Sequence, residues 1–201
     1  MTNSSLPLAR CGAFIFDMDG TLTVPQHDFD AIRDALNIPA GALILEHLDK
    51  LPADQQQIKR QELNAIEAEI AAQSEPAPAL FELLDELQNR GTPFALLTRN
   101  SATNAWISLN AIGATEYFSK QTVIGRDETE PKPHPAGIEL LAGRLGCPAQ
   151  HCAMVGDYRH DLEAGTAAGS HTVHIRHPQS PVWPDLTATT VTNLKELLDL
   201  L

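Results

Sequence analysis

Asp17 and Asp19 lie two residues apart at the end of a short apolar run, in Phe16-Asp17-Met18-Asp19-Gly20-Thr21. Two further apolar runs also end in polar residues, one in Thr98-Arg99-Asn100 and the other in Gly156-Asp157. Paired carboxylates suit group transfer. One can attack an electrophile while the other protonates the leaving oxygen, which divides a hard step into two easier ones. Carboxylates brought together also repel one another unless a cation sits among them. Hard oxygen donors with few competing His or Cys favour magnesium, which is commonly shared with phosphate. Lys132, in Glu130-Pro131-Lys132-Pro133-His134-Pro135, adds a positive point whose direction the prolines stiffen. Thr98 offers a hydroxyl, and the backbone amides of Arg99 and Asn100, near a helix start, offer an anion cradle. Together these residues could clamp a phosphate. Each has a plainer reading alone: a turn at Asp-Gly, a helix-entry threonine, a surface lysine, a helix N-terminal charge at Asp161. Only their convergence lifts them above it.

That convergence requires a particular scaffold. Residues 12–16 (GAFIF), 94–97, 153–155 and 172–175 are short apolar runs that read as buried strands. Between them lie helical patterns: Leu80, Leu83, Leu84 and Leu87 before Gly91, and Ile138, Leu141 and Leu145 before Gly146. Continuous apolar strands alternating with amphipathic helices imply an α/β fold, a Rossmann-like parallel sheet with helices on both faces. In such a sheet ligands bind at the carboxyl ends of the strands, so Asp17, Asp19, Thr98 and Asp157 are expected around one crevice. Residues 25–74 break the alternation. Phe29, Ile32 and Leu36, then Ile44, Leu48 and Leu51, then Leu63, Ile66 and Ile70 recur at helical spacing, with Pro39, Pro52, Pro76 and Pro78 as punctuation. The expected organisation is a core domain of residues 1–24 and 75–201 with a small α-helical cap, 25–74, inserted after the first strand. A loop is expected over 178–184, then a last short strand and a helix around 194–200.

Composition narrows the partners. The 201 residues are 43% hydrophobic and 20% charged, which argues against wholesale disorder. A formal charge of −12 with no basic cluster disfavours nucleic acid and anionic membranes. It also means that a phosphate site needs local positive charge. Three cysteines, Cys11, Cys147 and Cys152, form no paired framework and read as free thiols of a reducing compartment. Met1 to Arg10 lacks a signal-peptide apolar core, and no run nears the roughly 18–20 residues of a membrane span, so a cytoplasmic protein is expected. Of the eight histidines, His171, His174 and His177 invite a zinc reading. A spacing of three on a strand puts neighbours on opposite faces, and the cysteines match no zinc pattern. Trp106 and Trp183 read as packing residues.

Asp17-Met18-Asp19-Gly20-Thr21 resembles the DxDGT signature of the haloacid dehalogenase-like hydrolase superfamily. Thr98, Lys132 in KPHP, and Gly156-Asp157-Tyr158-Arg159-His160-Asp161, similar to GDxxxD, follow in that superfamily's order. The insertion, Pro76-Ala-Pro-Ala-Leu and Leu97-Thr98-Arg99-Asn100 resemble its phosphoglycolate phosphatase-like branch. The resemblance implies a Mg2+-dependent phosphatase acting on a small phosphorylated metabolite through an aspartyl-phosphate. Asp17 would be nucleophile and magnesium ligand. Asp19 would be general acid, then base, with its backbone carbonyl on the metal. Thr98 and Lys132 would hold phosphoryl oxygens, Asp157 would complete the metal site, and Asp161 would reach the metal through water or orient Lys132. Two features depart from the pattern: the cap has fewer helices than is usual, and Tyr158 stands where a small residue is common. A dehalogenase would have no need of Asp19. A phosphosugar mutase, associated with Glu-Asp where this chain has Gly156-Asp157, and a non-catalytic phosphate-binding regulator are the alternatives. A monomer or small homo-oligomer is expected.

Overall fold

Ala13–Phe16 (β1) is buried at every position and has strands on both sides, Phe94–Leu97 (β2) and Cys152–Gly156 (β4). The computed structural model describes residues 8–26, 28–178 and 180–201, so the expectation for Met1 to Arg10 falls largely outside the described residues, as does Gln179 in the loop expected after the fourth run. Among them, Val123–Ile124 (β3), His171–Ile175 (β5) and Thr189–Val191 (β6) complete a six-stranded sheet of order β3-β2-β1-β4-β5-β6, parallel throughout. A parallel sheet buries both faces, and the period of two along β1 shows how. Phe14 and Phe16 pack with Leu80, Leu83, Leu84 and Leu87 of one helix and Ala105 and Leu109 of another. Ala13 and Ile15 face the opposite way, toward Ile138, Leu141 and Ala164. The covering helices are Leu80–Asn89, Ala102–Ala111, Ala136–Arg144, Arg159–Ala168 and Leu194–Asp199.

The insertion after β1 contributes Phe29–Leu36 (α1), Ile44–Leu48 (α2) and Ala53–Ala71 (α3), which makes the five sheet-covering helices α4 to α8 in chain order. Asp28 caps α1 by accepting from the amides of Asp30 and Ala31, and Asn37 ends it in the left-handed region at φ 56°. Ile32, Leu36, Leu48 and Leu63 form a core of their own, separate from the two cores beside the sheet. The chain leaves and re-enters the sheet part through a neck, where Thr23 bridges Pro76 and the Ala77 amide donates to the Leu22 carbonyl. Beyond the neck, α3 rests on α5 through polar contacts. Asn104 Nδ2 donates to the Asn64 carbonyl at 3.2 Å, and Ser74 Oγ donates to Ser108 Oγ at 3.1 Å.

The sequence pattern leaves β3 unassigned, because two residues show no periodicity. Its end matters all the same. Gly125 follows it and lies so close to the start of α5 that a Cβ there would fall 2.3 Å from the Ala102 amide nitrogen and 2.7 Å from the Asn100 carbonyl oxygen. These obstacles are backbone atoms, which cannot rotate away. The described helices include none long and apolar enough to cross a membrane, and the three cysteines are free thiols. Gly125→Ala should cost at least about 2 kcal/mol, at the upper part of the range for overpacking. Urea denaturation of the variant beside the parent measures it.

Candidate active site

The site is built at the carboxyl ends of β1, β2, β3 and β4. Asp17 extends the β1–β4 ladder by one step, its amide donating to the Val155 carbonyl at 2.9 Å. The chain then bends sharply through Asp19 and Gly20. Gly20 has φ +75°, and a Cβ on it would lie 2.4 Å from Asp157 Oδ2. Glycine is thus needed for both its backbone angle and its lack of a side chain. The turn reading and the chemical reading of Asp-Gly describe the same residues: the turn lets the backbone pass against a carboxylate. His177 Nε2 stands 2.6 Å from the Gly20 carbonyl and steadies the bend from the far side.

Lys132 occupies the centre. Its Nζ is 2.6 Å from Asp17 Oδ1, 2.7 Å from the Leu97 carbonyl and 2.6 Å from Asp161 Oδ1, and the side chain is 2% exposed. Burial alone would lower its pKa, but the carboxylates of Asp161 and Asp17 outweigh that and hold it above the ordinary lysine value. Asp161, in the first turn of α7, accepts from the Tyr158 amide through Oδ2, so both its oxygens are engaged. Carboxylate oxygens of Asp17, Asp157 and Asp161 lie within 4.8 Å of one another. Burial, then the Asp161 and Asp19 charges, raises Asp17 to about 7 against the pull of Lys132. Burial, then Asp17 and Asp161, raises Asp157 to about 8. Burial, then Glu67 reaching in from α3, raises Asp19 to about 7. An all-oxygen donor set this crowded, with Gly20 clearing space beside Asp157, fits a hard divalent cation such as magnesium.

The remaining expected residues sit in the same crevice with different duties. Thr98 Oγ1 accepts from the Asn100 amide at 3.0 Å, so that amide is engaged within the loop. Asn100 Oδ1 accepts from the Ser101 amide and from Asn104 Nδ2, which orders the entry into α5. The Arg99 guanidinium donates to the Lys132 carbonyl and to Glu46 Oε1 of α2. It fixes the segment carrying Lys132 and ties that segment to α2 of the inserted helices. His171 Nε2 meets Thr189 Oγ1, and His174 lies against Trp183, so the histidines suspected as zinc ligands have other neighbours. Trp106 packs on the sheet core.

Sequence reasoning missed Arg126. It stands two residues after β3, lies 8% exposed, and pairs with both oxygens of Glu67 on α3, at 2.9 and 2.8 Å, and with Asn64 Oδ1 at 2.6 Å. It also donates to the Arg99 carbonyl. The strand-end rule that found Thr98 would have found Arg126, had β3 been long enough to see. Between the sheet's end and the inserted helices lies a cavity of about 340 Å3. Asp17, Asp19, Lys132 and Asp157 line it from the sheet side, with Phe29, Leu43 and Ile44 among the residues facing them from the inserted helices.

An α/β protein with clustered carboxylates and a buried lysine at its strand ends is the class that fold and site define. Comparison with known proteins gives the family: residues 23–175 match the model of the haloacid dehalogenase-like hydrolases, and the chain belongs to them. A hydrolase of Saccharomyces cerevisiae is 26% identical over 96% of this chain and 92% of its own length. The phosphoglycolate phosphatase of Escherichia coli K12 is 33% identical over 64% of this chain; the match spans 52% of that relative, about half its length. A haloacid dehalogenase-like hydrolase of Entamoeba histolytica shares the fold, with a TM-score of 0.79 at 16% identity over 94% of this chain and 98% of that one.

Arg126→Ala strands Glu67 as a buried charge without its partner, at an expected cost of about 3 kcal/mol. The double variant Arg126→Ala/Glu67→Ala should cost less than the two single changes added together, a coupling read from urea denaturation of all four proteins.

Proposed function

We propose that this hydrolase is a magnesium-dependent phosphatase that cleaves small phosphate monoesters through an aspartyl-phosphate on Asp17. The observation that carries the reading is the buried Lys132 Nζ, 2.6 Å from both Asp17 and Asp161 at the sheet's end. Lys132 holds Asp17 Oδ1, which leaves Oδ2 to attack phosphorus. As the new bond forms, the ester oxygen leaves and takes a proton from Asp19, whose raised pKa keeps it partly protonated near neutral pH. Asp19, now a carboxylate, takes a proton from water, and the resulting hydroxide releases inorganic phosphate and restores Asp17. Thr98 and the Arg99 amide would meet phosphoryl oxygens, and Lys132 would reach one by exchanging one of its three present acceptors for it, while the Asn100 amide, taken by Thr98 Oγ1, orders the loop that carries them. Magnesium would be held by Asp17, Asp157 and the Asp19 carbonyl, and would neutralise charge on the carboxylates and on the phosphoryl group. Of the two roles open to Asp161, orienting Lys132 is the one its hydrogen bonds support. Residues 25–74 would act as the lid that excludes water from the crevice.

Gly156 favours hydrolysis over a mutase. A Cβ there would fall 2.3 Å from Asp161 Cγ, so the glutamate associated with those mutases has no room beside Asp161. A small phosphorylated metabolite as substrate and a cytoplasmic setting complete the reading. Generic aryl phosphate turnover tests it. Activity should require added magnesium, vanish in excess EDTA, and fall at least about 10⁴-fold in Asp17→Asn. Turnover that survives in that variant, or in metal-free protein, removes the assigned nucleophile or the metal. A non-catalytic regulator would bind phosphate without turning over any ester.

The two carboxylates of the first motif can be told apart. An amide at position 19 cannot protonate a leaving alkoxide, so alkyl phosphates should lose the first step in Asp19→Asn. Aryl phosphates need less protonation and should lose less of it. Both need a base for the second step, where general-base help is typically about 10²–10⁴-fold. Rapid-quench kinetics with mass spectrometry should therefore show a burst of phenol and a phosphorylated Asp17 in the variant. Equal losses for both substrates without trapped phosphoprotein would assign the acid/base elsewhere.

A further inference from the structure

The cavity above Asp17 has a polar floor and an apolar wall. Ile32 of α1, Ile44 and Leu45 of α2, and the exposed Leu43 and Phe29 line it from the inserted helices, and Tyr158, half exposed, lines it from the sheet side. Tyr158 is braced edge-on by Trp183 at 5.6 Å and by His160 at 5.3 Å, so a rigid aromatic face stands where a small residue is common in the fourth motif. The cavity's cations are already engaged. Lys132 has three acceptors, Arg99 holds the Lys132 carbonyl and Glu46, and Arg126 holds Glu67, Asn64 and the Arg99 carbonyl. Arg33 pairs with the exposed Asp30 through one terminal nitrogen, and its Nε is buried without a hydrogen-bond partner. A second anionic group on a substrate would find this one unpaired N–H, while Lys132, Arg99 and Arg126 are each held by acceptors already. Sugar hydroxyls pressed against Phe29, Leu43 and Ile44 would lose water without gaining partners there, at a cost each time.

The cavity also has room: about 340 Å3 is several times the roughly 30 Å3 share of one water-sized group, so a phosphate leaves space beside it for the rest of a small substrate. We propose that the leaving alcohol of the substrate carries a small hydrocarbon body, alkyl or aromatic, seated between Leu43 and Ile44 on one side and Tyr158 on the other. This rests on the phosphatase reading for its catalytic half and on the cavity wall for its specificity.

The test uses the full chain with magnesium and two matched series. Turnover is measured for ethyl, butyl and hexyl phosphate and benzyl phosphate, beside glycerol 3-phosphate, glucose 6-phosphate and 2-phosphoglycolate. Affinity is measured by calorimetry for ethyl, butyl and hexyl phosphonate, which cannot be hydrolysed. The expected result is a rise in both kcat/KM and affinity of about fourfold per methylene up to hexyl, the effect of burying one methylene. Benzyl phosphate should exceed the sugar phosphate and phosphoglycolate. Leu43→Ser and Tyr158→Ser, both at exposed positions outside the packed cores, should flatten that slope. Turnover with no dependence on chain length, or a preference for the polyol or glycolate esters, overturns the inference and leaves the phosphatase reading standing. Phosphonate affinity that rises with chain length while no ester is turned over supports the apolar subsite and overturns the phosphatase reading instead. Equal phosphonate affinities overturn the subsite, whatever the turnover.

Discussion

An ammonium group with almost no access to water, Lys132 Nζ, joins three separate elements: Asp17 at the end of β1, the Leu97 carbonyl at the end of β2, and Asp161 in the first turn of α7. Burying such an ion costs several kcal/mol, which is offset only when every N–H finds an acceptor in good geometry. Here there are three donors and three acceptors. The requirement is mutual, because Asp17 and Asp161 would otherwise be buried carboxylates facing Asp157 with no counter-charge. The arrangement therefore holds only if the loop after β3 delivers the lysine to one point. Pro131, Pro133 and Pro135 stiffen that loop, and Arg99 grips the Lys132 carbonyl from outside.

Arg99 and Arg126 extend the same constraint to the inserted helices. Each uses a guanidinium to hold backbone carbonyl on the sheet side and a carboxylate on the other, Glu46 on α2 and Glu67 on α3. Planar, multidentate donors suit that task better than lysines would. The contact between α3 and α5 is likewise polar, through Asn64, Asn104, Ser74 and Ser108. An interface built from hydrogen bonds and paired charges lets the inserted helices keep their own apolar core while remaining tied to the site.

This division also explains what could be read from the sequence. β1, β2, β4 and β5 are buried on both faces, so they appear as apolar runs, and α4 packs leucines on one face of the sheet, so it appears as a helical stripe. Asp17, Asp19, Thr98 and Asp157 could be found because each follows such a run. Lys132 showed through its prolines and its place in the motif order. Arg126 was hidden because β3 has only two residues, and Glu46 and Glu67 were hidden because an acidic residue on a helix ordinarily faces water. α5 shows little apolar periodicity for a related reason: its buried positions include Asn104 and Ser108, which face polar partners on and beyond α3. Hydrophobic patterning reports burial against oil-like surfaces and says little about burial against hydrogen bonds.

Charge balance decides what else the proposed chemistry needs. Asp17, Asp157 and Asp161 stand against one ammonium, so with all three ionised the cluster carries two negative charges in excess. Burial and mutual repulsion push Asp17 to about 7 and Asp157 to about 8, the response expected of carboxylates held together against that excess. The arginines nearby do not correct it, since Glu46 and Glu67 neutralise them. A phosphate dianion entering a chain of net charge −12 would meet a site that repels it. The fixed groups can orient a phosphoryl oxygen once it has arrived, but they cannot attract it. On the proposed reading that attraction would come from a divalent cation, and a crowded set of carboxylate oxygens is suited to concentrate one. The acidic character of the chain is then compatible with phosphate chemistry: the carboxylates would recruit the cation, and the cation would supply the positive potential that Lys132, Arg99 and Arg126 have given up to their partners.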